Sequence, residues 1–406
     1  MLRRFKSYIE KVFDFSAMVA GLEDTRQGAS IDTESIWLSG WLMFVCRLGS
    51  LNALEIELKQ TGKLDRFVGP RKASADTIGR TYGMLELDGP REMLALIAQR
   101  LKRNKVLEVR RRDDLVCTAF DGHELFSSRH RHCDGCLERQ VKQGDQTVTE
   151  WYHRIVACHV VDSPITIPLD IEPVLPGEDE VAAAIRLFDR VRERLPRYFD
   201  VVTVDALYAQ APFIKKISDA GKHIVVVLKD KRRALLQDAE GVSATLPRQS
   251  RRLEDRECQL WDEEGFLSWD ALDRPLRVVR SLESRRERER INGQWEEKVV
   301  ESDWWWATTL PKQQASTTTV WHFGHGRWDI EDQAFNDMVT NWNMNHPWKH
   351  GPTAILAFIL TLMVAFVLVA CFFQRNLKPS RRRGRTQISV RLEFYSDLAA
   401  ERYKPP

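Results

Sequence analysis

The feature that most constrains the fold of this 406-residue chain is the order of its apolar runs between residues 113 and 245. Three β-rich runs with short connections come first, and they predict a meander of antiparallel strands. An amphipathic helix, a buried strand, a second helix and another buried strand follow. In chain order the runs read LVCTAF, YHRIVACHVV, PITIPLDIEPV, EVAAAIRLFDRVRERL, VVTVDA, AQAPFIKKISDAG and HIVVVLK. The chain is therefore predicted to build an α/β domain around a central sheet.

This order of strands and helices is that of a ribonuclease H-like core, and we assign residues 111–245 to its first part. Strand-like pieces within 246–320, with the turn signal Asn292-Gly293 between two of them, predict an inserted β-rich subdomain. A helical pattern returns near Arg327, so we assign residues 321–378 to the last part of the core.

The regions that flank the predicted core differ from it. Residues 1–110 have apolar positions that recur at three and four, with Ser74 as a helix N-cap and Gly62 as a stop, and they show no strand pattern. They predict an N-terminal helical domain, interpreted either as DNA-binding or as a plain packing domain. Residues 379–406 form a basic C-terminal tail that we expect to be loose.

Composition narrows the class of protein. An apolar content of 43% supports packed cores, whereas a formal net charge of +3 says little about partners. Seven cysteines, an odd number, do not fit a disulfide framework. Because Glu10, Lys11 and Asp14 interrupt the N-terminal apolar positions, a secretory signal is not expected. We expect a cytoplasmic protein with reduced thiols.

One apolar run is long enough to cross a bilayer. It extends from Thr353 to Phe373 without a charged residue, about the length that a membrane span needs. The basic residues after it would hold the tail inside and export everything before it, although no signal precedes that region. We therefore expect a buried helix, or a helix broken in two, packed on the sheet. A membrane span, and with it an integral membrane protein, is the alternative.

Three acids carry the chemistry. Asp121 follows the run LVCTAF, Asp205 follows VVTV, and Glu331 lies within the helical pattern GRWDIEDQAFNDMVTNW. Two carboxylates at strand ends and a third on a helix can gather the hard oxygen ligands that divalent metals prefer. That pattern indicates phosphoryl transfer on nucleic acid. The plain alternative is three ordinary acids among the 58 Asp and Glu residues of the chain.

The segment HGRWDIEDQAF resembles the Arg-x-x-x-Glu signature of the DDE transposases of bacterial insertion sequences, in the subgroup marked by spaced Tyr, Arg, Glu and Lys. Arg327 and Glu331 match this signature. FDGHELF is similar to the strand of the first acid, and VTVDALYAQAPFIKKISDAGKHIVVVLKDKRRALL to the region of the second. The resemblance spans roughly residues 115–375, because the gap from Asp205 to Glu331 also fits the family's β-rich insertion.

The resemblance implies a cut-and-paste DNA transposase that cleaves element ends and joins the freed 3′ hydroxyl to target DNA. Asp121 would ligate two Mg²⁺ ions, or Mn²⁺ as a substitute, with Asp205 and Glu331 each holding one of them. A homodimer on DNA is implied, because two ends must meet. Contacts with DNA are expected from Arg327, Trp328, Lys229 and Trp305. The alternative for Arg327 is a salt bridge to an acid, and at least one tryptophan of the Trp304-Trp305-Trp306 run is expected in the core.

Two positions depart from the subgroup. Gly324 stands where the spacing places Tyr, and Met338 stands where it places Lys. Phe323 or His325 could replace the aromatic residue, and Lys229 the cation. The departures leave open a catalytically decayed relative that still binds DNA.

A second metal site is suggested by SSRHRHCDGCLER. Cys133 and Cys136 have the spacing of zinc ligands, and further donors lie close by in the sequence. These further donors are His130, His132, His153, Cys158 and His159. We expect either a structural Zn²⁺ site that caps the first hairpin or a polar loop with reduced thiols.

Overall fold

The computed structural model describes residues 1–60, 64–107, 112–230, 233–291 and 294–400. The predicted stop at Gly62 and the predicted turn at Asn292-Gly293 lie outside these residues. The N-terminal region is helical, as predicted, and Ser74 caps its helix by accepting a hydrogen bond from the Thr77 backbone. Its helices are α1 (Leu2–Phe13), α2 (Phe15–Ala20), α3 (Thr33–Val45), α4 (Leu51–Gln60), α5 (Asp65–Val68), α6 (Ala75–Tyr82) and α7 (Asp88–Arg103).

The centre of the molecule is a mixed sheet in the order β4-β3-β1-β5-β6. Strand β1 runs antiparallel to β3 and parallel to β5, and β5 runs parallel to β6. This is the ribonuclease H-like arrangement that the sequence predicts. The elements are β1 (Cys117–Ser128), β2 (Leu137–Gln143), β3 (Gln146–Val160), β4 (Ile167–Pro173), α8 (Glu180–Arg194), β5 (Val201–Val204), α9 (Ala211–Asp219), β6 (His223–Val227) and α10 (Ala234–Ser243).

Strand β2 is an addition that the apolar pattern did not predict. It pairs with the first half of β3 as a hairpin, and most of its side chains are exposed or half-buried. Because a hairpin of polar residues carries little apolar periodicity, its sequence LERQVKQ gave no strand signal.

The predicted insertion is β-rich and continues the core sheet. Its strands are β7 (Gln249–Leu253), β8 (Arg256–Phe266), β9 (Leu276–Ile291) and β10 (Gln294–Thr308), each antiparallel to the next. Strand β10 then pairs with β6, with Trp306 opposite Val227. The insertion is thus joined to the core sheet through β6, the strand that comes next in the chain after Asp205.

After the insertion the chain forms one long interrupted helix and then a buried one. The elements are α11 (Thr317–Gly326), a π-helical turn (Ile330–Phe335), α12 (Asn336–Trp342), α13 (Pro352–Cys371), a second π-helical turn (Phe372–Asn376), α14 (Pro379–Arg382) and α15 (Gln387–Ala400). The first π-helical turn is where Glu331 lies.

Helix α13 is the apolar run that could have been a membrane span. Among the described residues it is the one helix long and apolar enough to cross a bilayer, and its apolar stretch is completely buried by the protein itself. It contacts α3, α6, α7 and β4, so it joins the N-terminal helices to the sheet. A helix that is apolar all round needs apolar cover on every side, and here the chain provides it. The prediction of a buried helix is confirmed.

The expectation of a loose tail is wrong for residues 379–400. Helix α15 packs on α1, where the rings of Phe394 and Phe5 stack 4.9 Å apart. Arg391 is 1% exposed and donates hydrogen bonds to the backbone oxygens of Phe44 and Asn341. The basic composition was misleading, because this arginine completes the core and does not face solvent.

Candidate active site

The sheet places two of the three predicted acids side by side. Strands β1 and β5 are parallel neighbours, with Ala119 opposite Thr203. Asp121 and Asp205 each follow this pair by two residues, so they lie side by side on neighbouring segments that are spaced about 4.8 Å apart. Asp205 directly follows β5, as expected, but the expectation of a strand end is wrong for Asp121, because β1 continues to Ser128 and pairs Asp121 with Ala157. Asp121 is 9% exposed, and the half-buried Asp205 accepts a hydrogen bond from the Leu207 backbone.

The helix after the insertion brings the third acid to the same place. Nη1 of Arg327 lies 2.6 Å from an Asp121 oxygen and 2.9 Å from a Glu331 oxygen, so one nitrogen bridges the two carboxylates. Glu331 belongs to a π-helical turn, a distortion that is frequent at functional sites. We call the group of Asp121, Asp205 and Glu331 the acid edge.

The acid edge carries more negative charge than its one guanidinium offsets. Burial raises the pKa of Asp121 to about 7. Arg327 opposes this rise, while the Glu331 and Asp205 carboxylates add to it. A set of hard carboxylate donors with an unbalanced charge is what a divalent cation binds favourably.

Behind Asp121 lies a polar group that the sequence did not indicate. Glu180, at the start of α8, accepts a hydrogen bond of 2.7 Å from the Tyr208 hydroxyl and forms an ion pair with Arg154. A side chain at Gly122 would overlap the Glu180 carboxylate, so the FDG sequence is required for this approach. The contact could not be read from the sequence, because Glu180 opens a helix about 60 residues from Asp121.

The two departures from the Tyr-Arg-Glu-Lys subgroup are packing positions. A Cβ at Gly324 would overlap the indole of Trp306, which is 0% exposed and stacks on Trp304. Met338 is also 0% exposed. A Tyr or a Lys at these positions would enter the core and not reach solvent, so the subgroup signature is not confirmed here.

Residues 120–368 match the family model of the transposase DDE domain. The chain belongs to this transposase family. The match covers more than half of the chain and includes all three acids. No curated protein matches the sequence.

The four residues expected to contact DNA in this DDE transposase lie in different settings. Arg327 is 5% exposed and is occupied by its salt bridges, the alternative that the sequence analysis kept open. Trp328 is 37% exposed, with the Arg327 guanidinium 4.4 Å from its ring. Lys229 is exposed and follows β6, so it lies at the same edge of the sheet as Asp205.

Trp305 is the least accessible of the four. It is 7% exposed, and the Arg280 guanidinium lies 4.5 Å from its ring. A base could stack on this ring only after Arg280 moved away. Trp304 is half-buried and Trp306 is fully buried, so with Trp305 two members of the run are buried, in keeping with the expectation that at least one belongs to the core.

A polar cleft of about 630 Å³ lies between the insertion and the helix that carries Arg327. Its walls include Trp304 and Trp328, with His322 and His325 between them and Arg256 on the insertion. Glu283 anchors this wall: its carboxylate accepts hydrogen bonds from Trp321 and His325 and pairs with Arg256. The cleft is therefore held in shape by polar contacts between the insertion and α11.

The two cysteines proposed as zinc ligands also come together, with partners that were only partly expected. Cys133, Cys136 and His153 lie in one cluster, and the fourth member is His350, from the loop before α13. No sequence signal indicated His350, because about 200 residues separate it from the cysteines. We call these four residues the Cys/His cluster.

The remaining predicted donors are not members of this cluster. His159 is 1% exposed and packs against Phe335, and Cys158 is fully buried in β3. His132 stacks on Trp151. Of the nearby donors that the sequence offered, His153 alone joins the two cysteines.

Proposed function

We propose that this transposase catalyses metal-dependent cleavage at the ends of an insertion sequence and strand transfer into target DNA. The observation that supports the proposal is the convergence of Asp121, Asp205 and Glu331 at one edge of the ribonuclease H-like sheet. The acids come from two strands and one helix, and the longest gap between them contains the whole insertion. Chance acids would have no reason to meet in this way.

The residues of the acid edge fit Mg²⁺, with Mn²⁺ as a substitute. The donors are carboxylate oxygens, and their charge exceeds that of Arg327. When bound there, two such ions would lower the pKa of a water or a 3′ hydroxyl and stabilise the leaving oxygen. Asp121 and Asp205 would hold the ions from the sheet and Glu331 from the helix.

The chain itself contributes positioning. Strands β1 and β5 fix the separation of Asp121 and Asp205, and the Leu207 backbone holds the Asp205 carboxylate in place. Arg327 keeps its helical segment against β1 through the salt bridge to Asp121, and its second salt bridge, to Glu331 one turn further on, orients that carboxylate. In the proposed reaction its guanidinium is the cation nearest to the acids and is suited to a phosphate of the bound DNA.

The other parts of the proposal concern the partners. DNA would lie along the edge that presents Lys229 and Trp328, and would enter the cleft between the insertion and α11. Two element ends must be held together for strand transfer, so we propose a homodimer on DNA. Action on DNA in a bacterial cell corresponds to a cytoplasmic location.

The test is nicking of a supercoiled plasmid that carries the DNA flanking the gene, with Mg²⁺ or Mn²⁺. Glu331→Gln and Asp205→Asn are expected to lower the rate by about a thousandfold, equivalent to a loss of about 4 kcal/mol of transition-state stabilisation. Asp337→Asn is the matched control, because Asp337 lies on the same helix and is hydrogen-bonded to Asn341. Unchanged nicking in both acid variants would refute the assignment.

The catalytically decayed relative is the second candidate, and the same assay separates it. A wild-type protein that binds the flanking DNA but nicks it with neither ion would be a DNA-binding relative. The packing roles of Gly324 and Met338 reduce the case for decay, since they account for the departures without a loss of function.

A further inference from the structure

The Cys/His cluster joins three distant parts of the chain. Cys133 and Cys136 lie in the connection between β1 and β2, His153 lies on β3, and His350 precedes α13. The connection is folded into a tight turn, in which the Cys136 backbone donates to the Cys133 oxygen at 3.0 Å. The Cys133 backbone in turn donates to Sγ of Cys136 at 3.3 Å. Both sulfurs therefore face the same side of the turn.

The ligand atoms have the spacing of a tetrahedral zinc site. Bonds of about 2.3 Å to sulfur and about 2.0 Å to nitrogen give tetrahedral edges of about 3.8 Å between sulfurs and about 3.3 Å between nitrogens. The two sulfurs are 3.8 Å apart, and the Nε2 atoms of His153 and His350 are 3.3 Å apart. Three of the four sulfur to nitrogen distances are 3.2 to 3.4 Å, slightly shorter than the ideal edge of about 3.5 Å, and the fourth, between Cys133 and His350, is within 4.8 Å.

The surroundings hold the fourth ligand in place. A Cβ at Gly135, between the cysteines, would come within 2.9 Å of the Pro352 ring, so a glycine permits the close approach of the two loops. The ring of Phe126 packs against both imidazoles, at 5.5 Å from each. Two sulfurs 3.8 Å apart are not a disulfide, which needs about 2.05 Å.

We propose that Cys133, Cys136, His153 and His350 bind one structural Zn²⁺. Two thiolates and two imidazoles form a closed set of four ligands, and such a set suits a structural ion better than a catalytic one. Asp121 lies on β1, and the two cysteines lie in the connection that follows this strand. The ion would link that connection to the loop with His350, which follows the helix of Glu331. It would thereby hold the two halves of the acid edge together from outside.

The first experiment uses the full-length wild-type protein. Protein purified without added chelator is expected to contain about one zinc per chain, with an X-ray absorption shell of two sulfurs and two nitrogens. A protein without zinc, or with a shell of nitrogen and oxygen only, would overturn the proposal. Neither readout uses DNA or activity, so the outcome is independent of the proposed transposase reaction.

Matched variants identify the ligands. Cys136→Ser and His350→Ala are expected to reduce the zinc content at least about tenfold after dialysis against a weak chelator. His346→Ala is the control, because His346 lies in the same loop, is exposed and packs on Trp348 outside the cluster. Equal zinc in His350→Ala and wild type would remove His350 from the site, and with it the link between the two loops.

Discussion

The acid edge and the Cys/His cluster are two proposed metal sites of opposite construction. Within the described parts of the chain, the cluster is the one group whose ligand atoms all lie within 4.8 Å of one another. Its soft donors form a complete set of four. The acid edge has hard donors that are held wider, with Arg327 between two of the carboxylates. Metal ions at the acid edge would need free coordination positions for water and DNA. The ion in the cluster would need none, because four protein ligands already surround it.

The two sites also differ in how the fold assembles them. Strand register alone brings Asp121 beside Asp205, so two of the three acids of the acid edge follow from the topology of the sheet. His153 and His350 meet only because α13 is buried and its preceding loop reaches β3. The cluster thus depends on the complete fold and, with zinc bound, would stabilise it in return.

The largest expected effect on stability comes from breaking the cluster. The double variant Cys133→Ser and Cys136→Ser removes both thiolates, and we expect a loss of about 3 kcal/mol that lowers the thermal midpoint by roughly 3–4 °C. Differential scanning calorimetry of wild type with and without a zinc chelator should reproduce this change. Equal midpoints in all these samples would mean that the cluster fastens nothing.

A smaller loss of stability is expected from Gly324, on helix α11, which leads to the π-helical turn with Glu331. Gly324→Ala places a methyl group against the buried Trp306 indole, at a cost of about 1–3 kcal/mol from overpacking. Gly326→Ala is the control, two residues further along the same helix. Its added methyl group meets Val161 at an ordinary distance of 3.6 Å, so the free energy of unfolding should hardly change. Chemical denaturation of the two variants measures the difference. If Gly324→Ala were as stable as Gly326→Ala, the packing account of the missing Tyr would be wrong.

The Glu283 carboxylate in the wall of the cleft is expected to make the stability of the fold depend on pH in the acid range. Burial works to raise the pKa of Glu283, but hydrogen bonding and charge from His325, with the hydrogen bond from Arg256, lower it to about 2. A folded pKa below the ordinary 4.5 gives stability that is present above pH 4.5 and is lost as the pH falls toward 2. Glu283→Gln should flatten the fall of the unfolding free energy in this window.

The control for this prediction is Glu257→Gln, on the neighbouring strand β8, where the side chain is exposed. Urea unfolding at several pH values between 5 and 2 provides the measurement. A Glu283→Gln profile as steep as that of the control would show that this carboxylate is not responsible for acid sensitivity.

The smallest expected effect concerns DNA affinity at the acid edge. Lys229→Ala removes one exposed cation at the sheet edge where Asp205 lies, so the slope of log affinity against log salt should become shallower by about 1. Lys142→Ala, exposed on β2, should leave that slope unchanged. Fluorescence anisotropy of a labelled duplex, titrated at several salt concentrations, distinguishes the two. Identical slopes would move the DNA path away from Lys229.

The sequence allowed the acid edge to be predicted better than the cluster. Asp121, Asp205 and Glu331 follow strand and helix patterns that the sequence states locally, and the family resemblance supplied their association. The ribonuclease H-like order of strands was predictable for the same reason. The burial of α13 was also predicted. A membrane span would have placed the basic tail inside and exported the rest of the chain, so a buried helix was the better interpretation of the apolar run.

Other features depend on contacts between distant residues and left no local pattern. His350 joins Cys136, and Glu180 lies against Gly122, through the tertiary fold alone. The docking of α15 was missed because a buried Arg391 looks like any surface arginine in a basic segment. The Tyr-Arg-Glu-Lys subgroup is not confirmed, and the sequence could not show why its Tyr and Lys are missing, because the packing of Gly324 and Met338 in the core depends on distant residues.

The central claim is that the acid edge, and not the Cys/His cluster, carries the chemistry. The most direct test measures Mg²⁺-dependent nicking, zinc content and thermal midpoint together in Asp121→Asn. We predict that nicking falls by about a thousandfold while zinc content stays at the wild-type value, and that the midpoint falls only by the contribution of the lost ion pair with Arg327. Nicking at the wild-type rate in a folded, zinc-loaded Asp121→Asn protein would contradict the account.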